Sequence, residues 1–308
     1  MRVFVTGATG FIGSVVVREL LDGGHEVVGL ARSDAAAQAL IDAGAQVHRG
    51  DVQDLDSLRR GAAAADGVIH TAFIHDFSKF QENCEIDRRA IEALGSALAG
   101  SDRLLLVTSG TGMVTVGRPA TEQDAPASGP GAVPRVASEE AAAAVAARRV
   151  RVSVVRLPQV HDWKKQGLVT YAVEIAREKG LSAFVGDGTN RWPGVHRLDA
   201  ARLYRLAFEK GTAGARYHAV AEEGVPMRDI AEVIGRRLGV PVVSRSPEDA
   251  AAHFGWLAHF VALDAPASSA WTQQTLDWRP AGPGLLFDLE QASNLDGRIE
   301  TAGEAVSR

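Results

Sequence analysis

The sequence predicts an α/β fold built on a doubly wound parallel sheet. Three observations carry that prediction. An apolar strand at the N-terminus runs into Gly7-Ala-Thr-Gly10-Phe-Ile-Gly13 and then into an apolar-periodic helix. Strand-like and helix-like runs alternate from there through the first half of the chain. After Leu157 the alternation loosens, as it does where a second, smaller unit begins.

The opening segment carries chemistry. Gly7 permits a sharp strand-to-helix turn, Gly10 leaves room for a pyrophosphate at the backbone, and Gly13 lets the helix pack close. The helix N-terminus then offers free N–H groups and a favourable dipole to the phosphates. Strand, glycines and helix in that order point to a bound dinucleotide rather than a plain tight turn.

Later elements follow from periodicity and punctuation. Strands are expected at Val3–Thr6, Glu26–Ala31, Gln46–Arg49, Gly67–Thr71, Leu104–Ser109 and Val152–Leu157. Helices are expected between them, at Phe11–Leu21, Ala35–Ala43, Asp54–Ala62, Asn83–Ala99 and Ala137–Arg149. The last of these is alanine-rich, with strong helix propensity and an apolar breadth that suits burial. Thr121–Pro134, rich in Pro, Gly and Ala, reads as an irregular loop beyond the C-terminal edge of the strands. Leu168–Glu178 and Leu198–Phe208 read as helices and Ala215–Ala219 as a strand. Met227–Leu238 reads as an amphipathic helix stopped by Gly239. From about residue 280 on, the chain is expected to pack loosely or fray.

Composition excludes several classes. A net charge of −5, with no run of Lys or Arg, leaves no nucleic-acid footprint. The single cysteine, Cys84, allows no disulfide within the chain. The nine histidines form no metal-binding spacing. No apolar run is long enough for a membrane span, and a core strand stands where a leader would be. A cytoplasmic protein is therefore expected.

These residues together resemble the short-chain dehydrogenase/reductase superfamily, in its extended, epimerase-like branch. The resemblance covers nearly the whole chain. It includes Thr6-Gly-Ala-Thr-Gly-Phe-Ile-Gly13, Gly50-Asp51-Val52, Val68-Ile-His-Thr-Ala72 and Leu104-Leu-Leu-Val-Thr-Ser109. Arg156-Leu-Pro-Gln-Val160-His161 is similar to that branch's Arg-Pro-x-x-Val-Tyr-Gly, and Val195–Ala201 to its His-Val-Asp-Asp-Val-Ala. The resemblance implies a Rossmann domain over 1–157, with about 190–210 returning to it. It also implies a small C-terminal α/β substrate-binding subdomain within 158–308. By the same resemblance, Gly7, Thr9, Gly10, Phe11, Ile12 and Gly13 hold the dinucleotide and Asp51 and Val52 flank adenine. Thr71, Ala72 and Phe73 lead to the nicotinamide, whose amide meets Pro158 and Val160. Relatives commonly dimerise through the helices corresponding to Asn83–Ala99 and Ala137–Arg149, so a homodimer is expected.

Arg32 and Ser33 end the second strand, where an acidic residue would favour NAD. A guanidinium and a hydroxyl suit a ribose 2′-phosphate, so NADP is the expected cofactor; the plain alternative is a solvated arginine in a turn.

The catalytic half of the pattern breaks. The superfamily's proton donor is a Tyr-x-x-x-Lys pair, and four residues after Tyr171, Tyr204 and Tyr217 stand Ile175, Phe208 and Ala221. Alignment on Ser138 puts Arg135 at the tyrosine position and Glu139 at the lysine position, while the usual serine falls beside Gly110. The chain thus resembles an atypical subgroup lacking the pair. Candidates to replace it are Arg135 as an oxyanion holder, Ser109 and Thr111 as hydrogen-bond donors, and His161 as a general acid. His75, Phe77, Trp163, Trp192 and His196 are candidates for the substrate wall, the last two on a loop at Asn190–His196; core packing explains the tryptophans equally well. The expected function is NADP-dependent reduction of a carbonyl or imine of a small apolar molecule. A redox sensor without turnover, or an epimerase or dehydratase, are the alternatives.

Overall fold

The computed structural model describes residues 1–295 except 115–116, 127–128 and 130–131, and the Asn294 side chain. The first half is β1 (Arg2–Thr6), α1 (Gly13–Asp22), β2 (Glu26–Ala31), α2 (Asp34–Asp42), β3 (Gln46–Arg49), α3 (Leu55–Ala63) and β4 (Gly67–His70). It continues with α4 (Phe80–Leu98), β5 (Leu104–Gly110), α5 (Ala137–Ala146) and β6 (Arg151–Leu157). Then come β7 (Gln159–His161), α6 (Val169–Lys179), β8 (Ser182–Val185), β9 (Arg191–His196), α7 (Arg197–Lys210) and β10 (Arg216–His218). The remainder is β11 (Glu222–Pro226), α8 (Met227–Leu238), β12 (Val242–Arg245), α9 (Pro247–Phe254), α10 (Ala258–Val261), α11 (Ala270–Leu276) and α12 (Leu285–Glu290).

Seven strands form one sheet in the order β3-β2-β1-β4-β5-β6-β10, with every pairing parallel. This is the Rossmann arrangement. Strand order reverses between β1 and β4, and such a switch point opens a crevice at the carboxyl ends of the strands. One face is buried by α1, α2 and α7, through residues such as Val16, Leu20, Leu40, Leu203 and Tyr204. The other is buried by α3, α4 and α5, through Leu58, Ile91, Leu94 and Val145. Both faces are covered, and the strands are accordingly near-continuous Val, Ile and Leu.

Two returns complete the sheet from beyond residue 157. Helix α7 packs on α1, and β10 pairs with β6 at the edge. The returning segment therefore runs later than about 190–210. A three-stranded sheet (β11-β9-β7) and a two-stranded one (β12-β8) build the smaller unit. Its core gathers Val173, Trp192, Ile230, Phe254, Leu257 and Leu289. Asn190–His196, read from sequence as a loop, is largely strand β9. The alanine-rich helix buries Ala141, Ala142 and Val145 against α4 and leaves Ala143, Ala144 and Ala147 exposed.

The expectation of a loose end past residue 280 fails up to residue 295. Leu285, Leu289, Ala292 and Leu295 are all fully buried in the second unit's core. Spacings of four and three put them on one face, a pattern too short to stand out in the sequence. Residues 296–308 lie outside the described residues. Leu289→Ala is expected to cost about 2–5 kcal/mol, read by chemical denaturation; a loss near zero would mean that α12 is dispensable.

Candidate active site

The carboxyl ends of β1, β4, β5 and β6 open into a cleft of about 840 Å³. Its floor is the glycine segment. Gly7 has φ +67°, and a Cβ there would meet the Ala72 amide at 2.7 Å. A Cβ on Gly13 would lie 2.0 Å from the Gly7 carbonyl oxygen. Helix α1 starts with no side-chain cap and no acidic residue in its first turn. The amides of Phe11, Ile12 and Gly13 give no hydrogen bond among the described residues, and with the positive dipole end they suit an anion. The cradle fits a dinucleotide, and every residue expected at the cofactor from the sequence lines this cleft. Arg32 is exposed at its rim, and Ser33 caps α2 by accepting from the Ala36 amide at 3.2 Å.

Further in, Arg135 lies over Phe73, its guanidinium carbon 4.1 Å from the ring centre. It donates to Asp87 Oδ2 at 2.5 Å, to the Ser138 hydroxyl, and to the Thr108 carbonyl at 3.2 Å. Asp87 is 2% exposed and also accepts from Ser138 at 2.6 Å. His70 Nε2 lies 3.0 Å from its other oxygen, and His70 Nδ1 pairs with the Thr6 hydroxyl at 2.7 Å. Burial alone would raise the Asp87 carboxyl. The Arg135 guanidinium, backed by His70 and Ser138, outweighs it and holds Asp87 well below the usual carboxylate range. Arg135 is thus fixed, charged and paired.

Glu139 turns the other way. Burial opposes its charge, but two bonds from Arg156 at 2.7 and 2.8 Å keep it ionised, and Arg216 adds a third at 3.1 Å. Ser109 borders both the cleft and Glu139; its buried hydroxyl stops short of good hydrogen-bond geometry. Thr111 lines the cleft. Tyr204 Oη pairs with Thr108 Oγ1 at 2.6 Å, and burial pushes its phenol far up, away from acid work.

His161 is not in the cleft. Strand alternation sends Val160 to the cleft wall and His161 to the opposite face. There it is fully buried, with Nδ1 2.6 Å from Asp288 Oδ2, so it cannot serve as the proton donor. Trp163 is half exposed under Lys164, and His196 faces the Leu198 amide at the start of α7; neither reaches the cleft. His75, Phe77 and Trp192 do line it. His75 is exposed to solvent, but partial desolvation and the charges of Lys165 and Arg135 lower its pKa.

The sequence reading missed several lining residues: Phe80, Tyr171, His259, Phe260 and Leu263. Asn190 fastens the last segment through the carbonyls of Val261 (2.8 Å) and Leu263 (3.2 Å), and Trp192 through that of Phe260 (3.2 Å). Trp256, beside it, stacks on Phe77 at 4.3 Å. No spacing in the sequence announces that meeting. Asp87 did leave a signal: it shares the apolar face of α4 with Ala90, Ile91 and Leu94.

The profile of the NAD dependent epimerase/dehydratase family matches residues 3–221. The chain belongs to that family. An uncharacterized protein of Schizosaccharomyces pombe is 50% identical over 291 residues, covering 94% of this chain and 98% of that one. Another, of Saccharomyces cerevisiae, is 46% identical over 299 residues, covering 96% and 100%. In structure, the UDP-glucose 4-epimerase of Thermus thermophilus, solved with NAD, is similar at a TM-score of 0.74 and 20% identity, covering 97% and 100%. Members of the epimerase/dehydratase family use a nicotinamide dinucleotide. This member holds Arg135 and Glu139 where the resemblance placed tyrosine and lysine. Among the described residues no cluster could hold a metal, and no helix is long and apolar enough to cross a membrane.

Because the folded Asp87 carboxyl titrates below its unfolded counterpart, it stabilises the fold above about pH 4. That contribution is lost as pH falls below this value. Asp87→Asn should lower stability at pH 7 by about 3–5 kcal/mol and flatten the acid limb of the stability–pH curve. An unchanged acid limb would remove the pair from the fold's energetics.

Proposed function

We propose that this family member is an NADPH-dependent reductase acting on a carbonyl or imine of a small apolar molecule. The observation that carries the reading is a dinucleotide cradle opening into a ring-lined chamber with one fixed cation, Arg135, at its inner end. A bound nicotinamide dinucleotide supplies the hydride. The protein's part is to bind, orient and stabilise charge. The glycine turn and the start of α1 hold the pyrophosphate. Arg32 takes a ribose 2′-phosphate at the rim, beside the N-terminus of α2. Arg135 offers a guanidinium's N–H donors, so it stabilises a developing oxyanion by hydrogen bonds rather than by proton transfer. Thr111 polarises the acceptor, and water returns the proton. An imine asks less of a protein proton donor, because its nitrogen is itself basic.

One observation favours a second reading, a cofactor-binding sensor without turnover: Glu139, at the lysine position, is sequestered by Arg156. Epimerase or dehydratase chemistry needs a proton-transferring group beside the cofactor. Among the described residues Tyr171 is the one tyrosine that lines the cleft, and burial raises its phenol. The exposed alanines of α5 suit pairing of two copies across α4 and α5, and sedimentation at equilibrium should give twice the chain mass.

Fluorescence titration should show NADPH binding more tightly than NADH. Arg32→Ala should weaken NADPH about 10- to 100-fold and leave NADH unchanged. Equal affinities in the parent protein would sink the NADP assignment. Tight NADPH binding with no oxidation across a panel of carbonyls and imines would favour the sensor.

A further inference from the structure

The substrate half of the cleft has three properties that act together. Its walls are rings, from Phe73, Phe77, Phe80, Tyr171, Trp192 and Phe260. Among the described residues Asp51, at the β3 end, is the one carboxylate lining the cleft. Arg135 stands at the inner end with its guanidinium over the Phe73 ring. Three of its five N–H groups go to Asp87, Ser138 and the Thr108 carbonyl. Nε–H and the second Nη2–H have no acceptor among the described residues. They are in-plane donors, left over on a cation that cannot swing away.

We propose that this chamber takes a planar, conjugated carbonyl compound and holds its oxygen as a delocalised oxyanion on Arg135. The assignment rests on the reductase reading and narrows its substrate class. An acid whose pKa lies far above the working pH is a poor general acid, so charge arriving on the oxygen stays there through the step. A localised alkoxide is a base of about the strength of hydroxide, whose parent water has a pKa of about 15.7. A delocalised oxyanion is far less basic, as the tyrosine phenol at about 10 illustrates. Ring walls complete the match, since a planar π body stacks on them. The balanced step is conjugate reduction. Hydride from the reduced dinucleotide adds to the β-carbon, the C=C pair shifts to the α-carbon–carbonyl bond, and the carbonyl pair moves onto oxygen. Water then gives a proton to the α-carbon. One hydride and one proton are consumed, the C=C bond becomes single, and the dinucleotide is left oxidised.

The binding half can be tested without turnover. p-Nitrophenol is a planar phenol whose ionised form absorbs visible light. Bound to the protein without reducing cofactor, it should ionise with a pKa lowered by about 1 or more, read from absorbance against pH. Phe73→Leu, which removes the shelf, should shrink the shift. The double variant R135M/D87N, which leaves no unpaired buried charge, should abolish it while keeping a cooperative melt and NADPH binding. A dye that ionises as in water, or an unchanged shift in the folded double variant, overturns the proposal. With NADPH present, cyclohexenone should yield cyclohexanone by proton NMR. Formation of the unsaturated alcohol instead would equally overturn it. Failure of the parent protein to bind NADPH would strike the reductase reading alone, because the dye result needs no cofactor.

Discussion

A single buried carboxylate organises the inner end of this molecule. Asp87 sits on α4, yet it collects His70 from β4, Ser138 from α5, and Arg135 from the turn before α5. Each contact crosses between elements, and Arg88 to Glu140 at 2.6 Å adds a further ion pair between α4 and α5. Removing such a charge from water is costly, and only several charge-assisted bonds in fixed geometry offset that cost. The group therefore gives the site direction more than it gives the fold stability. Arg135 cannot relax toward solvent without stranding Asp87. The Phe73 ring, Thr6 and the backbone after β4 are held to the same frame.

The chemistry divides along the same line. Near the switch point, backbone does the work: turns, free amides and the absence of side chains. Farther out, side chains do it, and their donors come from segments distant in the chain. Residues 73–80, Tyr171, Trp192 and 256–263 converge from four separate places. The backbone half follows rules shared by any dinucleotide cradle, while the side-chain half is particular to this protein.

That division explains what could be read in advance. Alternating apolar runs gave the first six strands to within a residue at each end, most clearly β1, β4, β5 and β6, where burial on both faces leaves little freedom in composition. The glycine segment was legible because each glycine answers a steric demand that no other residue meets. His161 was misplaced because a one-residue step along a strand reverses the face a side chain points to, and a motif match does not record facing. Trp163 and His196 fell outside the cleft for a related reason: both lie at ends of elements, where direction is set by packing. Asp87 was visible as a polar residue on an apolar helical face, but its partners lie 17 or more positions away in the chain. Residues 280–295 looked frayed because one six-residue helix and one short turn leave no periodic trace.

The bond between His161 and Asp288 has one more implication, for the order in which the site is made. Strand β7 supplies Val160 to the cleft wall, and its neighbour His161 is secured by α12, 127 positions further along the chain. On the ribosome, the glycine cradle emerges well before that helix. The wall opposite must wait for Asp288, 127 positions after His161. Until then a nascent chain can present a phosphate cradle with no finished chamber above it.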